Sequence, residues 1–201
     1  MSIDHAVYPL AVATWLAIRA PYVLASRKHS TAVFRGRGVD WLIHASVLLG
    51  VVLFPFAYLF CSLLDFANYN LPALSRIAGS VLLGGALLVL WRGHADLGLD
   101  FSPVVETPQR QALVMTGIYS FVRHSIYTHH LLWALAQPLV LHNWLAGGFS
   151  LISFALLYLL RIPSEEAMLL EEFGDQYRSY SSTTGRLIPR LRGPRSARRT
   201  A

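Results

Sequence analysis

The sequence contains few charged residues and a single cysteine. Charged residues make up 14% of the 201 residues, and hydrophobic residues make up 54%. Soluble domains carry about 25% charged residues, so this composition excludes an ordinary soluble domain and favours a membrane-embedded one. The lone Cys61 excludes an intramolecular disulfide. Because no repeat, low-complexity tract or soluble domain interrupts it, we treat the chain 1–201 as one domain.

Five apolar stretches approach the roughly 20 residues that a helix needs to span a bilayer. They cover 7–25, 41–63, 75–91, 122–141 and 144–160. Only His142 and Asn143 separate the last two stretches, which predicts a helical hairpin because backbone in lipid must satisfy its own hydrogen bonds. Gly84 and Gly85 in the third stretch predict close helix packing there. The expected fold class is therefore all-α, a multi-pass transmembrane bundle of about five spans.

Basic residues predict the orientation, because cytoplasmic loops are enriched in Lys and Arg. All basic residues except Arg19 and Arg76 fall in the first loop, in the third loop with its helix ends, or in the tail. This places the amino terminus outside and the carboxyl terminus in the cytoplasm. The first stretch lacks a basic n-region and a cleavage site, so we expect a retained anchor and not a signal peptide. The basic tail, 190–201, favours an anionic lipid surface over nucleic acid as its partner.

Two polar segments flank the predicted hairpin. The first, GIYSFVRHSIYTHH over 117–130, places His124 and Tyr127 on one helical face. The second, RIPSEEAMLLEEFGDQYRSY over 161–180, places Arg161 and Glu165 on one side of the next helix. Together they predict a pocket at the membrane surface with aromatic, cationic and carboxylate groups. Such chemistry suits a zwitterionic, cationic nucleoside cofactor.

Each segment also has a purely structural interpretation. Arg and Tyr commonly anchor a helix at the lipid head groups. Pro163 can end the fifth span and Ser164 can cap a new helix whose first acids favour the helix dipole. Apolar and aromatic side chains then recur at helical spacing and predict an amphipathic C-terminal helix lying on the membrane. These are Leu169, Phe173, Tyr177 and Tyr180.

Further polar residues lie in the third loop and deeper in the fourth stretch, at His129 and His130. Pro103 and Pro108 forbid a continuous helix in this loop, which we expect to be an ordered interfacial segment over part of the pocket. His129 and His130 lie where polar groups are costly and tend to be functional or paired. No two of the eight histidines stand three or four residues apart, so the sequence predicts no helical metal site.

Several ordered blocks, from about Leu97 to Pro189, carry a family resemblance. They are LGLDFSPVVE, ALVMTGIYSFVRHSIY, AQPLVLHNWLAG, RIPSEEAMLLEEFGDQYRSY and TGRLIP. The chain resembles the membrane methyltransferases of the isoprenylcysteine carboxyl methyltransferase and phospholipid methyltransferase superfamily. Four positions depart from the family pattern: Ser125 replaces a usual Pro, His129 a usual Gly, Gln111 a frequent His, and Thr183 a common Arg. The departures at Ser125, His129 and Thr183 affect the acceptor side most.

The resemblance implies an enzyme that uses S-adenosylmethionine. By position it assigns the cofactor to a set of residues on both polar segments and on the loop before them. These are Gln111, Ala112, Leu113, Val114, Tyr119, His124, Ser125, Ile126, Tyr127 and Glu165. It assigns Arg161 to the acceptor, so that Arg161 and Glu165 are the expected catalytic residues.

The resemblance leaves the acceptor open. A prenylated cysteine carboxylate fits it best, giving carboxyl O-methylation, and a phospholipid amine, a small thiol or an isoprenoid are alternatives. A non-catalytic membrane protein of the same fold, acting in transport or as a scaffold, is the alternative from a different class. Residues 1–92 would supply three spans, and 93–189 would form the catalytic core.

Overall fold

The computed structural model describes residues 3–29, 38–98 and 113–190. In these ranges the chain forms α1 (Ile3–His29), α2 (Gly38–Val47), α3 (Phe54–Phe60), α4 (Ala73–Leu97), α5 (Ser125–Leu141), α6 (Phe149–Leu156) and α7 (Ile162–Thr183). None of these described residues belongs to a β-strand, although isolated bridges pair Asn68 with Asn143 and Val122 with Gly185. The architecture is all-helical, as the sequence predicts.

Three segments are long and apolar enough to cross a membrane. They are Ala6–Ala25, Asp40–Phe60 and Ala73–Leu97, and they coincide with the first three predicted stretches. The other two stretches form α5, with 17 residues, and the helical segment that begins with α6. In the third loop and the tail, 99–112 and 191–201 lie outside the described residues.

The second span is a single path through α2, a π-helical turn at Leu48–Leu53, and α3. A π-helical turn shifts the pattern of backbone hydrogen bonds and is frequent at functional sites. Two carbonyls of this turn accept side-chain hydrogen bonds from other helices: Gly50 from Gln137 at 2.7 Å and Val51 from the Tyr8 hydroxyl at 2.9 Å. The irregular turn thus supplies acceptors for polar side chains in the apolar core.

Gln137 of α5 is the polar centre of that core, and its side chain is fully buried. Its Nε2 donates to the carbonyls of Gly50 and Ala146, and its Oε1 accepts from Trp133 Nε1 at 2.9 Å. The Tyr8 hydroxyl, 2.8 Å from the same Oε1, shares its one proton between this oxygen and the Val51 carbonyl. Both donors and both acceptor positions of the amide are therefore used. One side chain links α1, the π-helical turn, α5 and the turn before α6.

Asn143 organises the turn of the predicted hairpin. Its Oδ1 accepts from the backbone N–H groups of Leu145 and Ala146, and its Nδ2 donates to the carbonyl of Leu64 and to Asn68. The preceding His142 adopts a left-handed conformation, with φ 50° and ψ 37°, and ends α5. The two residues that the sequence identifies as the hairpin connection do form it, and a longer turn follows before α6 begins at Phe149.

Glycines allow α4 to pack closely on α5, but not those expected. A Cβ built on Gly84 or Gly85 would meet nothing within 4 Å among the described residues, so the prediction of close packing at that pair is wrong. A Cβ on Gly79 would lie 2.7 Å from Val140 Cγ2, and one on Gly93 would lie 2.6 Å from Ser125 Oγ. Which glycines lie in the contact depends on which face of α4 meets α5. The positions of the glycines in the sequence do not reveal that face.

The fifth predicted stretch does not end at Pro163. It continues through α6 and a second π-helical turn at Leu157–Arg161 directly into α7. Arg161 keeps right-handed helical geometry, with φ −93° and ψ −44°, so Ser164 is inside the helix and is not its cap. Pro163 lies directly after the π-helical turn, in the first turn of α7. A break occurs instead at Gly174, whose φ of 50° favours glycine.

We predict that Gly79→Ala destabilises the protein and that Gly84→Ala does not. The new methyl group at position 79 would press on Val140, the Ala136 carbonyl and Leu139, all within 2.9 Å, and such overpacking costs about 1 to 3 kcal/mol. Thermal unfolding in detergent should show a lower midpoint for Gly79→Ala only. Equal midpoints for the two variants would contradict this packing.

Candidate active site

The loop that enters the site is fixed by Asp96 at the end of α4. The Asp96 carboxylate accepts from the backbone N–H of Ile118 at 2.7 Å and is paired with Arg92 at 2.9 Å. Gly117 has φ 60°, and a Cβ there would collide with the Asp96 carboxylate at 2.2 Å. Only glycine lets the chain pass this close while Asp96 holds the short helical turn Gly117–Ser120. That turn carries Tyr119.

Tyr119 is buried and is held at both ends. Its hydroxyl donates to the carbonyl of Gly93 at 3.3 Å, and its own carbonyl accepts from the Tyr180 hydroxyl at 2.6 Å. Leu169, Tyr177 and Tyr180 form a buried cluster on α7, against which Leu113 and Phe173 pack. The aromatic stripe of α7 is therefore covered by protein, not by the lipid surface we expected. The reason is that Leu113, distant in sequence, packs against it, while the Tyr180 hydroxyl donates to the Tyr119 carbonyl.

Tyr127 and Glu165 are in direct contact. The Tyr127 hydroxyl donates to Glu165 Oε2 at 2.6 Å, and the Tyr127 side chain is buried. Arg161 acts electrostatically on the same tyrosine. The two polar segments flanking the hairpin thus converge, as the sequence predicts, because α5 starts and the α6 path ends on the same side of the bundle.

Glu166, the neighbour of Glu165, collects most of the charge at the site. Its Oε1 accepts from Arg123 Nε at 2.8 Å and from His124 Nε2 at 3.2 Å. Arg186 adds two further bonds, from Nε at 3.1 Å and from Nη2 at 2.5 Å. Three basic side chains from two segments therefore meet at one carboxylate on α7.

Electrostatics at Glu166 favour its ionised form. Burial raises the pKa of this carboxyl, but the hydrogen bonds from His124 and Arg123, together with their charges, outweigh burial and lower the pKa to about 2. The buried hydroxyl of the nearby Tyr177 shows the opposite effect. Burial and the negative charge of Glu166 raise the pKa of Tyr177 to about 12, so this tyrosine stays neutral at physiological pH.

The segment after α7 folds back on the start of the hairpin. The backbone N–H of Arg123 donates to the Gly185 carbonyl at 2.9 Å, and that of His124 donates to the Arg186 carbonyl at 3.1 Å. Arg123 Nη1 also donates to the Thr184 carbonyl, and the Thr128 hydroxyl donates to the Leu187 carbonyl, both at 2.8 Å. This backbone pairing keeps Arg186 beside Glu166.

Ser125 and His129 show how α5 meets α4. Ser125 is fully buried, faces Gly93, and its Oγ makes no hydrogen bond within the described part of the chain. Ile126 also reaches Gly93. His129 is buried and lies 2.9 Å from the Ala86 carbonyl through Nδ1. Among the residues that the structure describes, no three His, Cys, Asp or Glu side chains are arranged to hold a metal ion.

Comparison with known proteins places this geometry in a family. The sequence model of the isoprenylcysteine carboxyl methyltransferase family matches residues 68–171, just over half of the chain. The chain belongs to this family. Together with the three apolar helices, membership makes it an integral membrane protein.

Individual relatives carry the name protein-S-isoprenylcysteine O-methyltransferase. The one from Schizosaccharomyces pombe is 36% identical over 127 residues, covering 62% of this chain and 51% of that protein. The Dictyostelium discoideum relative is 27% identical over 135 residues, covering 66% and 54%. The Tribolium castaneum relative is 31% identical over 119 residues, covering 58% and 40%. The chain spans about half the length of the curated relatives it matches.

The structure brings together most of the residues that the isoprenylcysteine carboxyl methyltransferase resemblance singles out. Tyr127 touches Glu165, and His124 meets Glu166 on the next residue of α7. Tyr119 joins the same region through Tyr180. Leu113 packs near it, and the adjacent Val114 is partly buried. Gln111 and Ala112 lie outside the described residues.

Sequence reasoning missed several members of the site. It placed Arg123 and Glu166 in the two polar segments, but only as a head-group anchor and as an acid favouring the helix dipole. It did not select Asp96 or Arg186 for the site. The repeated acid of the SEE motif was the available signal for Glu166, because neighbouring helical residues point in directions about 100° apart and so meet different partners. Nothing local identifies Arg186, whose place depends on the chain folding back after α7.

We predict that Glu166→Gln lowers the thermal midpoint by several degrees at neutral pH, because Arg123 and Arg186 lose their counter-charge. Glu171→Gln, an exposed acid on the same helix, is the matched control and should have little effect. The folded pKa of Glu166 is depressed from 4.5 to about 2, so its stabilisation is complete above about pH 4.5 and is lost as the pH falls towards 2.

Midpoints measured from pH 7 downwards test this relation. The gap between wild type and Glu166→Gln should be widest at neutral pH and close in acid. A gap that widens below pH 4.5 would contradict the assignment.

Proposed function

We propose that this chain is a membrane methyltransferase that transfers a methyl group from S-adenosylmethionine to the carboxylate of a prenylated cysteine. The observation that carries the proposal is the direct contact between Tyr127 and Glu165, on the two sides of the hairpin, beside Arg161. Family membership supports the reaction class, since the relatives are named for O-methylation of S-isoprenylcysteine.

The chemistry of the site fits the cofactor. S-adenosylmethionine, when bound, supplies an electrophilic methyl group on a sulfonium centre. Tyr119 and Tyr127 offer aromatic faces that attract cations, and the Glu165 carboxylate can accept hydrogen bonds from amino or ribose groups. The buried Ser125 Oγ, which has no hydrogen bond within the described residues, is a further polar group for a ligand.

The remaining cofactor contacts are assigned by position. Leu113, Val114, Ser125 and Ile126 would line the site, together with Gln111 and Ala112 from the preceding loop. The Nε2 of His124 is directed at Glu166. His124 would therefore act on the cofactor indirectly, by fixing the position of the segment before α5, or it would exchange its bond to Glu166 for one to the cofactor on binding.

The acceptor side needs little acid–base chemistry. A carboxylate is ionised at neutral pH, so a general base is unnecessary, and no metal ion is required for a displacement of this kind. The protein has to align the donor with the nucleophile and to exclude water. This alignment can lower the activation free energy by up to ~7 to 11 kcal/mol. Arg161 would orient the acceptor carboxylate, because a guanidinium binds carboxylates with two parallel hydrogen bonds.

The topology we propose gives each substrate its own route. Five spans would place the amino terminus outside and the site, with the basic tail, at the cytoplasmic leaflet. An anionic lipid surface would attract the tail by about 1 kcal/mol per basic residue. The polar cofactor would then arrive from the cytoplasm and the lipophilic acceptor from the bilayer. α7 and the segment after it would complete the cofactor pocket.

The test is direct. Purified protein is titrated with S-adenosylmethionine by calorimetry, then incubated with methyl-labelled cofactor and an S-prenylated cysteine, with an S-prenylated cysteine amide and a phospholipid amine as comparison acceptors. We expect label on the free carboxylate alone. Label on the phospholipid amine would move the chain to phospholipid methylation, and absence of both binding and transfer would indicate a non-catalytic member of the fold.

We predict that Glu165→Ala abolishes measurable S-adenosylmethionine binding without unfolding the protein, because it removes the carboxylate that Tyr127 positions. Glu171→Ala on the same helix should bind normally. Calorimetry gives the affinities, and thermal unfolding checks the fold. An unchanged affinity in Glu165→Ala would count against a cofactor role for this residue.

Arg161→Ala should have the opposite pattern. Cofactor affinity should be preserved while turnover with the prenylated acceptor falls at least tenfold, since loss of a charged hydrogen bond of this type costs about 1.5 to 3 kcal/mol. Single-turnover rates measured beside calorimetry separate the two effects. Equal loss of cofactor binding and turnover would show that the proposed roles of Arg161 and Glu165 are wrong.

A further inference from the structure

Tyr119, whose aromatic face the proposed cofactor site uses, stands on a short turn and not on a long helix. This turn, Gly117–Ser120, precedes α5. The Tyr119 hydroxyl donates to the Gly93 carbonyl at 3.3 Å, which is long for a hydroxyl donor, since such bonds usually measure about 2.5 to 3.0 Å. The carbonyl of the same residue accepts from the Tyr180 hydroxyl at 2.6 Å. The shorter of these two bonds therefore holds the backbone of Tyr119, and it comes from α7.

α7 changes direction between the acids of the site and Tyr180. Gly174, with φ 50° and ψ −123°, interrupts the helix with a kink. The part of α7 before the kink carries the two acids, and the part after it carries Tyr180. Leu169 from the first part and Tyr180 from the second belong to one buried cluster, against which Leu113 packs. One kinked helix thus supplies both the carboxylates and the tyrosine that contacts the Tyr119 turn.

The bond from Tyr180 continues the pairing that the returning chain makes with the residues before α5. After α7, the backbone N–H of Gly185 donates to the Phe121 carbonyl at 3.3 Å. The backbone N–H of Thr184 donates to the carbonyl of Tyr180 at 3.0 Å, which joins the tyrosine to the same stretch of chain. These contacts hold Tyr119 and Phe121 against the end of α7.

Tyr177 is a close comparison for Tyr180. Both side chains are buried in the same cluster, and their ring centroids lie 6.3 Å apart. The Tyr180 hydroxyl donates to the Tyr119 carbonyl, whereas the Tyr177 hydroxyl makes no hydrogen bond within the part of the chain that the structure describes. The two tyrosines therefore share their helix, their burial and their packing, and they differ in one hydrogen bond to the turn that carries Tyr119.

We propose that Tyr180 is a positioning residue for the cofactor, because its hydroxyl fixes the peptide group of Tyr119 and, through it, the direction of the aromatic face. This inference rests on the proposed function, in which that face contacts the cationic sulfonium region of S-adenosylmethionine. A cation–π contact requires the cation within about 6 Å of the ring centroid, and side chains on turns are held less precisely than those on helices. Tyr180 acts through Tyr119 and need not touch the cofactor.

The experiment uses the full chain in a neutral detergent and compares wild type with Tyr180→Phe and with Tyr177→Phe as the matched control. Each substitution removes one hydroxyl and keeps the ring that packs in the cluster. Calorimetry gives the affinity for S-adenosylmethionine. Turnover of an S-prenylated cysteine at varied cofactor concentration gives kcat and KM separately, and thermal unfolding reports the fold.

We expect Tyr180→Phe to raise the Kd and the KM for the cofactor by roughly 3- to 10-fold, the effect of one lost hydrogen bond. Its kcat at saturating cofactor should stay within about twofold of wild type, because the bond acts on binding and not on the chemical step. Tyr177→Phe should match wild type in all three constants. A lower thermal midpoint of Tyr180→Phe with an unchanged Kd would mean a purely structural bond and overturns the proposal. Equal rises in Kd for both variants also overturn it, since they would assign the effect to the aromatic cluster as a whole.

Hydrogen exchange without cofactor separates this inference from the proposed function. The backbone N–H groups of Tyr119, Phe121 and Val122 form hydrogen bonds within the turn. Their exchange should be faster in Tyr180→Phe than in wild type and unchanged in Tyr177→Phe, because a segment held by fewer contacts opens more readily. Equal exchange in the three proteins overturns the proposal whether or not S-adenosylmethionine binds.

Two further outcomes are decisive. If wild type does not bind S-adenosylmethionine, the proposed function fails, and the cofactor role of Tyr180 fails with it even where the exchange rates differ. If Tyr180→Phe does not fold, exchange in wild type decides, since bound S-adenosylmethionine should slow exchange in the Tyr119 turn. Exchange that bound cofactor leaves unchanged there overturns the proposal.

Discussion

The carboxylate of Glu166 is the point on which the geometry of the site depends. It gathers Arg123 and His124 from the residues just before α5, and Arg186 from the segment after α7. In a partly buried setting, a missing carboxylate would leave these cations facing one another, and removing one partner of such a pair is strongly destabilising. The Tyr127–Glu165 contact joins the same two segments one residue away from this junction.

A second polar junction holds the opposite end of the hairpin. Gln137 and Asn143 use all their hydrogen-bonding groups inside the bundle, on backbone groups exposed by a π-helical turn and by the turn before α6. Polar groups in an apolar core are favourable only when fully satisfied. The hairpin is thus fixed at both ends, and its site end is held by a rigid frame. A rigid frame is what alignment of two reactants in a displacement requires.

Sequence patterns predicted the features that depend on local order. Apolar length located the three segments that are long enough to cross a membrane, and His142 and Asn143 marked the hairpin turn. The two polar segments flanking the predicted hairpin pointed to the contact between Tyr127 and Glu165. The features that were wrong or missed depend on contacts between distant segments. Gly79 and Gly93 were indistinguishable from Gly84 until the face of α4 that meets α5 was known. Likewise, Arg186 gains its role only because backbone pairing with Arg123 and His124 returns the chain to the site.

The adjacent acids of α7 show how one short motif serves two purposes. Consecutive side chains on a helix diverge by about 100°, and Glu165 and Glu166 accept hydrogen bonds from different residues. Glu166 faces three basic groups, which lower its pKa to about 2 and keep it ionised at neutral pH. Both of its oxygens accept hydrogen bonds from these groups. Glu165 faces a tyrosine hydroxyl alone among the hydrogen bonds described for its side chain, which leaves acceptor capacity on its oxygens. In the proposed site, Glu166 therefore holds the charge network while Glu165 keeps acceptor capacity for the cofactor.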